Sequence, residues 1–589
     1  NLAHVRTAVC PVVSTSANSD CEDRMLWLLG KIIDPDGDSD TSATTRWSVT
    51  DVLHSSPNVI TYGGSDSNAD GVVDTFFDRL VVGTNDGALR FINGTTGKQE
   101  WAFYPQSMLA NLQTHFSNPE GNHLYGLDTT PIIRAFDSDG DGNIEPSTDF
   151  VHVYTGMRRG GNLLYALDVT PPTTLANNTT SIAPKFLWRI EGGTPGFERL
   201  NDTWSTPKLA TIDTTSGAKE VLIFGGGYDS RVDDGFGTSN TSSVDNMGNA
   251  IYVVDPANGS VIFSITGTCG TCSNNANSIQ VPDMKFSIPS RITTLDTDGD
   301  GLDDRLYVGD TGGQVWRVDL GSDVKTSGTG KYGSTVVGRL ATLSTAGTAA
   351  AERKFFEPPA VVQVKDTIFS DANNGEYDYV LIGTGDRANP LETVVSNRFY
   401  ALRDKFIDEL PDTNNDNLAD PASYPQTTTG PISHAVSGNL VDVTNTVLSS
   451  SNTTHTASLG WYFDFDSSGT DGEKSLSAPT AIAGAVFFTT YFPESTSTDL
   501  CAANVGSGAA FNFDILTTQA VKDWDEDGNL EYTNNDDRRK ALGGGIPSDV
   551  VPIFTKEGVV GIVGIEGGAA QLGTLTGLPR YRTYWYDET

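Results

Sequence analysis

The sequence is poor in positive charge. Its 38 Lys and Arg stand against 75 Asp and Glu, a formal net charge of −37 over 589 residues. Phosphate binding needs clustered Lys and Arg, so no nucleic-acid partner is expected. Long apolar runs are missing too. No stretch approaches the roughly 18 apolar residues that mark a membrane-spanning helix. The nearest, Ala478–Phe492, is interrupted by Thr and Gly and reads as a hairpin, so no transmembrane segment is expected. Neither a signal peptide nor an initiator Met stands at Asn1, which reads as the start of a processed or trimmed chain.

Reactive residues are scarce. The five cysteines are Cys10, Cys21, Cys269, Cys272 and Cys501. Cys10 with Cys21 and Cys269 with Cys272 are plausible disulfides, which leaves Cys501 odd. No thioredoxin-like βαβ pattern surrounds Cys269-Gly-Thr-Cys272, so a structural link is preferred to a redox site. There is no Gly-X-Ser-X-Gly elbow and no His-Glu-X-X-His. Gly328-Thr-Gly-Lys331 lacks the flanking residues of a phosphate loop. The seven histidines show no zinc spacing, and His115 and His123 read as loop or surface residues. No catalytic residue is assigned.

What the chain has in quantity is Gly, Asn, Ser, Thr and Asp, a composition suited to a loop-rich β protein. Residues 1–45 stand apart, with a possible short helix at Glu22–Ile33 and a weak acidic turn at Asp34–Asp40. From Arg46 onward a polar-Pro step recurs at Pro57, Pro131, Pro207, Pro289, Pro359, Pro479 and Pro547, with gaps of 74, 76, 82, 70, 120 and 68 residues. Pro is tolerated at a strand's first residue because no ladder donor is needed there. Each step runs into further strands: a second such as Leu306–Asp310, usually a third such as Val315–Asp319, and in some copies a fourth such as Lys185–Ile190. Seven units of about four strands predict an all-β, seven-bladed β-propeller over 46–589, with a polar insertion at about 403–475. Trp101, Trp188 and Trp316 fall at strand positions and are expected in the core.

One loop type recurs within this pattern. Its five copies, loops A to E below, are expected before the second strands of blades one, two and four, in the insertion, and between blades six and seven. They are Asp66-Ser-Asn68-Ala-Asp70-Gly-Val72-Val-Asp74, Asp137-Ser-Asp139-Gly-Asp141-Gly-Asn143-Ile-Glu145, Asp296-Thr-Asp298-Gly-Asp300-Gly-Leu302-Asp-Asp304, Asp412-Thr-Asn414-Asn-Asp416-Asn-Leu418-Ala-Asp420 and Asp523-Trp-Asp525-Glu-Asp527-Gly-Asn529-Leu-Glu531. Side-chain oxygens at positions 1, 3, 5 and 9, with a backbone carbonyl at position 7, form a hard-oxygen cage for Ca²⁺. Position 6 is Gly, or Asn417 in loop D, both of which accept a left-handed backbone. Position 12 is never Glu (Phe77, Thr148, Tyr307, Ser423, Asn534), so these are not EF-hands and no calcium-sensor switch is expected. Extracellular sites of this kind bind at ~10⁻⁴ to 10⁻³ M.

Arg46–Pro57, Val82–Leu89, Gly160–Thr170, Asp296–Asp319, Gly460–Asp464 and Val486–Thr490 together resemble the propeller of the PilY family of type IV pilus assembly and tip-adhesin proteins. The resemblance covers about 46–589. It implies a modified, quinoprotein-like propeller of about seven blades with a calcium loop. It also implies a secreted, extracellular protein at the pilus tip or cell surface (outer membrane). Minor pilins would be its partners, and assembly against retraction, twitching motility and adhesion its roles. Two departures stand out. The family's large N-terminal domain is absent, with 1–45 read as its tail, and there is no Arg-Gly-Asp for an integrin-type contact. The surface receptor is not specified. Two other readings compete: a quinoprotein dehydrogenase, which would also use a propeller and calcium, and a generic secreted propeller that binds a partner. Against the dehydrogenase, the chain lacks an adjacent Cys-Cys pair and a Trp docking motif in every blade.

Overall fold

The structure, a computed structural model, describes residue 27 and residues 50–575 apart from 118–122, 231–246, 271, 273–276, 329, 346–347, 367–374, 422, 425–429, 435, 437–438, 449–457, 466–471, 494–504, 531–536 and 557. The expectations for the acidic turn at 34–40, for Cys10, Cys21 and Cys501, and for Glu531 lie outside the described residues, as does the helix at 22–33 apart from Trp27.

The strands form seven sheets, each built around consecutive strands of the chain, and these are the seven blades of a β-propeller. Blade one is Asn58–Ser65, Thr75–Gly83, Leu89–Asn93 and Gln99–Phe103; blade two is Ile132–Phe136, Phe150–Thr155, Leu163–Asp168 and Lys185–Glu191. Blade three begins at Lys208–Ile212 and ends with Ser278–Gln280, which pairs parallel to Val261–Thr266. Blade four is Thr293–Leu295, Arg305–Gly309, Gln314–Asp319 and Val336–Thr342, and blade five is Ala360–Lys365, Glu376–Gly383, Arg398–Asp404 and Gly460–Asp464. Blade six is Thr480–Ile482, Ala485–Phe492, Ser507–Asp514 and Arg539–Gly544. Blade seven is Val551–Phe554, Val559–Ile565 and Gly568–Leu575. Pro57, Pro131, Pro207, Pro359 and Pro479 each immediately precede a first strand, where the missing N–H costs no ladder bond.

The chain divides into two compact units. One comprises Asn1–Leu209, Leu222–Tyr228 and Val253–Val261; the other comprises Ala210–Val221, Asp229–Tyr252 and Ile262–Thr589. The first unit contains blades one and two. Its core joins Ile60, Tyr62, Phe77 and Val81 of blade one to Val151, Val153, Leu163 and Tyr165 of blade two. Trp101 lies stacked on Phe91 at 4.6 Å at the edge of this core, and Trp188 is buried. The second unit contains blades four to seven. Phe399 of blade five stacks on Phe488 of blade six at 4.0 Å, and Phe488 on Phe511 at 4.9 Å. Each such buried Phe contributes about 1.5–3 kcal/mol of apolar burial, and stacking adds roughly 0.5–1.5 kcal/mol. Trp316 is buried in blade four. Cys269 and Cys272 are disulfide-linked, as a structural pair would be.

The polar range 403–475 does more than loop outward. Gly460–Asp464 is the fourth strand of blade five, and Ile432–Ser433 adds in parallel to Val336–Thr342 of blade four. A buried ionic network anchors the start of this range. Arg317 forks onto Asp319 (Nε–Oδ1 2.7 Å, Nη2–Oδ2 2.7 Å) and donates from Nη1 to Asp404 Oδ2 at 2.9 Å. Its Nη2 also donates to the Asp408 carbonyl at 2.7 Å, while Asp319 accepts the Leu410 N–H at 2.7 Å. Arg305 pairs with Asp319 and Asp378, and Tyr307 donates to Asp378 and Asp404.

Candidate metal centres

Loops A, B and C each join the first strand of a blade to its second, in blades one, two and four. Loop D lies between Arg398–Asp404 and Gly460–Asp464. Loop E joins the third and fourth strands of blade six rather than separating blades six and seven.

All five fold alike. Position 4 is left-handed throughout (Ala69 φ 59°, Gly140 72°, Gly299 83°, Asn415 58°, Glu526 62°) and so is position 6 (Gly71 84°, Gly142 83°, Gly301 87°, Asn417 65°, Gly528 92°). These two reversals wind the backbone around the position-1 carboxylate. The position-6 N–H donates to Oδ2 of Asp66, Asp137, Asp296, Asp412 and Asp523 at 2.8, 2.8, 2.9, 2.9 and 2.9 Å. Position 5 donates its N–H to Oδ1 of Asn68, Asp139, Asp298, Asn414 and Asp525 at 2.9, 3.3, 3.1, 3.0 and 3.2 Å. The N–H groups of Val72, Asn143, Leu302, Leu418 and Asn529 at position 7 reach Oδ1 of Asp70, Asp141, Asp300, Asp416 and Asp527 at 2.9, 2.7, 2.8, 2.9 and 2.8 Å. The N–H groups of Gly71, Gly142 and Gly528 hold Asp66, Asp137 and Asp523 below the usual carboxylate range. Burial pushes Asp296 up, but the N–H groups of Gly301 and Gly299 more than offset it and bring it low. Asn417 replaces Gly in loop D because its amide is used: Nδ2 donates to the carbonyls of Gly333 and Thr335 at 3.0 and 2.8 Å.

The closing carboxylate follows a rule that the nine-residue spacing hides. In loops A, C and D the position-2 N–H donates to the position-9 carboxylate: Ser67 to Asp74 at 2.8 Å, Thr297 to Asp304 at 2.7 Å, Thr413 to Asp420 at 3.1 Å. In loop B the Ser138 N–H goes instead to Asp149, at 3.0 Å, and the Glu145 N–H goes to the same carboxylate at 2.8 Å. The Glu145 and Ser138 donors set Asp149 far below the usual carboxylate range, while burial pushes Glu145 up. In loop E the Trp524 N–H goes to the buried Asp537 at 2.8 Å. Asp149 and Asp537 stand four and six residues beyond position 9, where a fixed-length pattern does not look.

Three of the loops bring carboxylate oxygens together. Asp137, Asp139 and Asp141, then Asp296, Asp298 and Asp300, then Asp523, Asp525 and Asp537 each offer one oxygen within 4.8 Å of the others. Like charges this close repel unless a cation or proton intervenes, so these clusters could hold a metal ion.

Four of the loops also reach a neighbouring sheet. In loop B the Ile144 N–H donates to the Tyr62 carbonyl of blade one at 3.2 Å, and the Ile144 side chain joins that core. Asp303 of loop C exchanges two bonds with Thr211 of blade three: its N–H donates to the Thr211 carbonyl at 2.6 Å, and its Oδ2 accepts the Thr211 N–H at 3.0 Å. Leu418 of loop D bridges Val337 of blade four in parallel. Trp524 of loop E donates from Nε1 to the Leu572 carbonyl of blade seven at 3.2 Å.

Comparison with known proteins agrees with this architecture. A family model described as the PilY1 beta-propeller domain matches residues 14–347. The type IV pilus biogenesis factor PilY1 of Pseudomonas aeruginosa is 29% identical over 287 residues, 46% of this chain and 21% of the relative. A PilY1 homolog of Xylella fastidiosa is 26% identical over 429 residues, 71% of this chain and 25% of the relative. The matched stretches thus span about a quarter or less of these relatives' lengths. The crystal structure of the Pseudomonas aeruginosa PilY1 C-terminal domain superimposes with a TM-score of 0.50 at 20% identity, covering 84% of this chain and 92% of that one.

Proposed function

Since this chain belongs to the PilY1 β-propeller family, we propose that it is the propeller portion of a type IV pilus biogenesis factor. The family match carries this reading, and the relatives' role in pilus biogenesis supports it. On this reading the protein is extracellular, sits at the pilus tip or cell surface with minor pilins, supports assembly against retraction and contributes to twitching and surface adhesion. It acts by binding rather than by catalysis, and the family match weighs against a quinoprotein dehydrogenase. No helix among the described residues is long and apolar enough to cross a membrane. The test is co-purification. Tagged protein should come down with sheared pilus fibres and minor pilins from piliated cells. Its absence from fibres, or a bound quinone chromophore with dye-linked alcohol oxidation, would overturn the reading.

The ion proposed for the loops is Ca²⁺, because every donor offered is a hard oxygen. Its holders would be the side chains at positions 1, 3 and 5 and the carbonyl at position 7. Asp74, Asp304 and Asp420 would close loops A, C and D, and Asp149 and Asp537 would close loops B and E, where Glu145 and Glu531 stand ninth. A bound cation supplies the positive charge that these carboxylates lack. Residues at positions 2, 7 and 8 then tie the neutralised loop to the next sheet, so calcium would staple blades together. Calcium titration followed by calorimetry tests this. Heat saturating at several ions per chain is expected, and no binding at millimolar calcium would refute it.

A further inference from the structure

A cavity of about 350 Å³ opens in the first unit, away from the five acidic loops. Its walls come from Trp27, the approach to blade one, the turn between that blade's second and third strands, the helix Leu112–Ser117 and the approach to blade two. A volume of this size suits a small ligand or a single inserted side chain.

The electrostatics are one-sided. Asp86 is buried but neutralised by Arg90 and hydrogen-bonded by Tyr104. Asp51 is different. Its side chain is 50% exposed, accepts Asn85 Nδ2 at 2.7 Å and lies 3.5 Å from His123 Nε2, and it pairs with no Lys or Arg among the described residues. Anions are therefore disfavoured here, the more so on a chain of net charge −37. The polar lining is rich in acceptors. Burial holds the His115 imidazole below its usual pKa, so this wall disfavours a second cation on the protein side. The rings of Trp27 and Phe116, edge to face at 6.0 Å, add aromatic surface that attracts cations. A metal is not the match. Among the described residues the ligand atoms that converge within 4.8 Å are those of loops B, C and E, not those lining this cavity.

We propose that this cavity binds an alkylammonium group, with the Asp51 carboxylate accepting its N–H donors and Trp27 and Phe116 flanking its stem. An ammonium brings three donors and no acceptor, which is the complement of this lining. The group could come from a lysine of a partner protein or from a free polyamine.

The test uses the full chain and three probes: Nα-acetyl-lysine methylamide, its Nε-acetylated form and spermidine, followed by calorimetry and ligand-observed NMR. The free-amine probes should bind, the Nε-acetylated form should not, and Asp51→Asn should weaken binding about tenfold or more. Lysine methylamide binding tighter than spermidine assigns the group to a polypeptide; the reverse order assigns it to a polyamine. Phe116→Leu, which keeps an apolar side chain but removes the ring, should also weaken binding. Equal binding of the acetylated and free forms, or undiminished binding in both variants with the circular dichroism unchanged, overturns the proposal.

Discussion

Replacing Arg317 with Met tests whether the polar range 403–475 is held by charge. Arg317 has no side-chain exposure and carries a full guanidinium into the protein. It is satisfied by Asp319 and Asp404, and by the carbonyls of Phe406 and Asp408. Met matches the stem but supplies none of these donors. Asp319 would keep Arg305 at 3.2 Å and the Leu410 N–H, while Asp404 would keep no charged donor, only the hydroxyls of Tyr307 at 2.8 Å and Tyr424 at 3.1 Å and the Phe406 N–H at 3.2 Å. Removing one partner from a buried ionic cluster costs about 3–5 kcal/mol, because the remaining charge stays desolvated. Since 406–410 leads directly into loop D, that cost should appear as local opening. Hydrogen exchange in peptides spanning 404–424 should accelerate about 10²–10³-fold, calcium binding by loop D should weaken, and peptides of blades one and two should be unchanged. A variant with wild-type exchange at 404–424, or one whose loop D binds calcium undiminished, would refute the claim that this network positions the loop.

Chelation should lower the melting temperature and calcium restore it. At a calcium concentration tenfold above Kd, each filled loop adds about 1.4 kcal/mol, and a melt unmoved by EGTA would count against filled sites. Asp149→Asn and Asp537→Asn should each remove one calcium from the stoichiometry, whereas Glu145→Gln and Glu531→Gln should not; metal content after gel filtration decides this. Acid should act through His434, which burial, Arg398 and Arg353 push down to about 4. The unfolded chain binds this proton below ~6.5 and the folded chain only near 4, so stability rises with pH across that window. His434 is only half-buried, so the contribution is discounted to about 1–2 kcal/mol, and His434→Gln should flatten the pH 4–6.5 slope in urea melts.

Much of this architecture was legible because propeller blades repeat both their punctuation and their periodicity. The Pro steps mark where strands begin, and the first three strands of most blades are apolar runs bounded by Gly or Asp. The fourth strands of blades four to six were not legible. Val336–Thr342 follows a Gly- and Ser-rich turn, and Gly460–Asp464 follows the long polar range. Arg539–Gly544 carries two basic residues and ends in Gly, so it does not read as a strand. Missing that strand placed loop E between blades. Within the loops, position 6 could be foreseen because Gly and Asn announce a left-handed backbone. Position 4 could not, since Ala69 and Glu526 announce nothing and are held there by the Asx bonds on either side. Asp149 and Asp537 were hidden because the chain between them and their loops varies in length, and only the shared position-2 donor identifies them.

The placement of the loops explains why a scaffold would carry several of them. Neighbouring sheets in this fold meet mainly through apolar faces, which resist separation but specify little about sliding. Loop B fixes Ile144 against Tyr62, loop C clasps Thr211 twice, loop D pairs with Val337, and loop E reaches Leu572 through Trp524. Each bond is directional and breaks under shear, and each is presented by a backbone wound on clustered acids. In loop A, Val72 and Val73 at positions 7 and 8 remain 65% and 42% exposed. On the proposed reading, a protein held between a surface and a retracting fibre would be loaded along such interfaces. Distributing the clasps over several blades would spread that load over several loops, and a cation in each would make the shear resistance depend on external calcium.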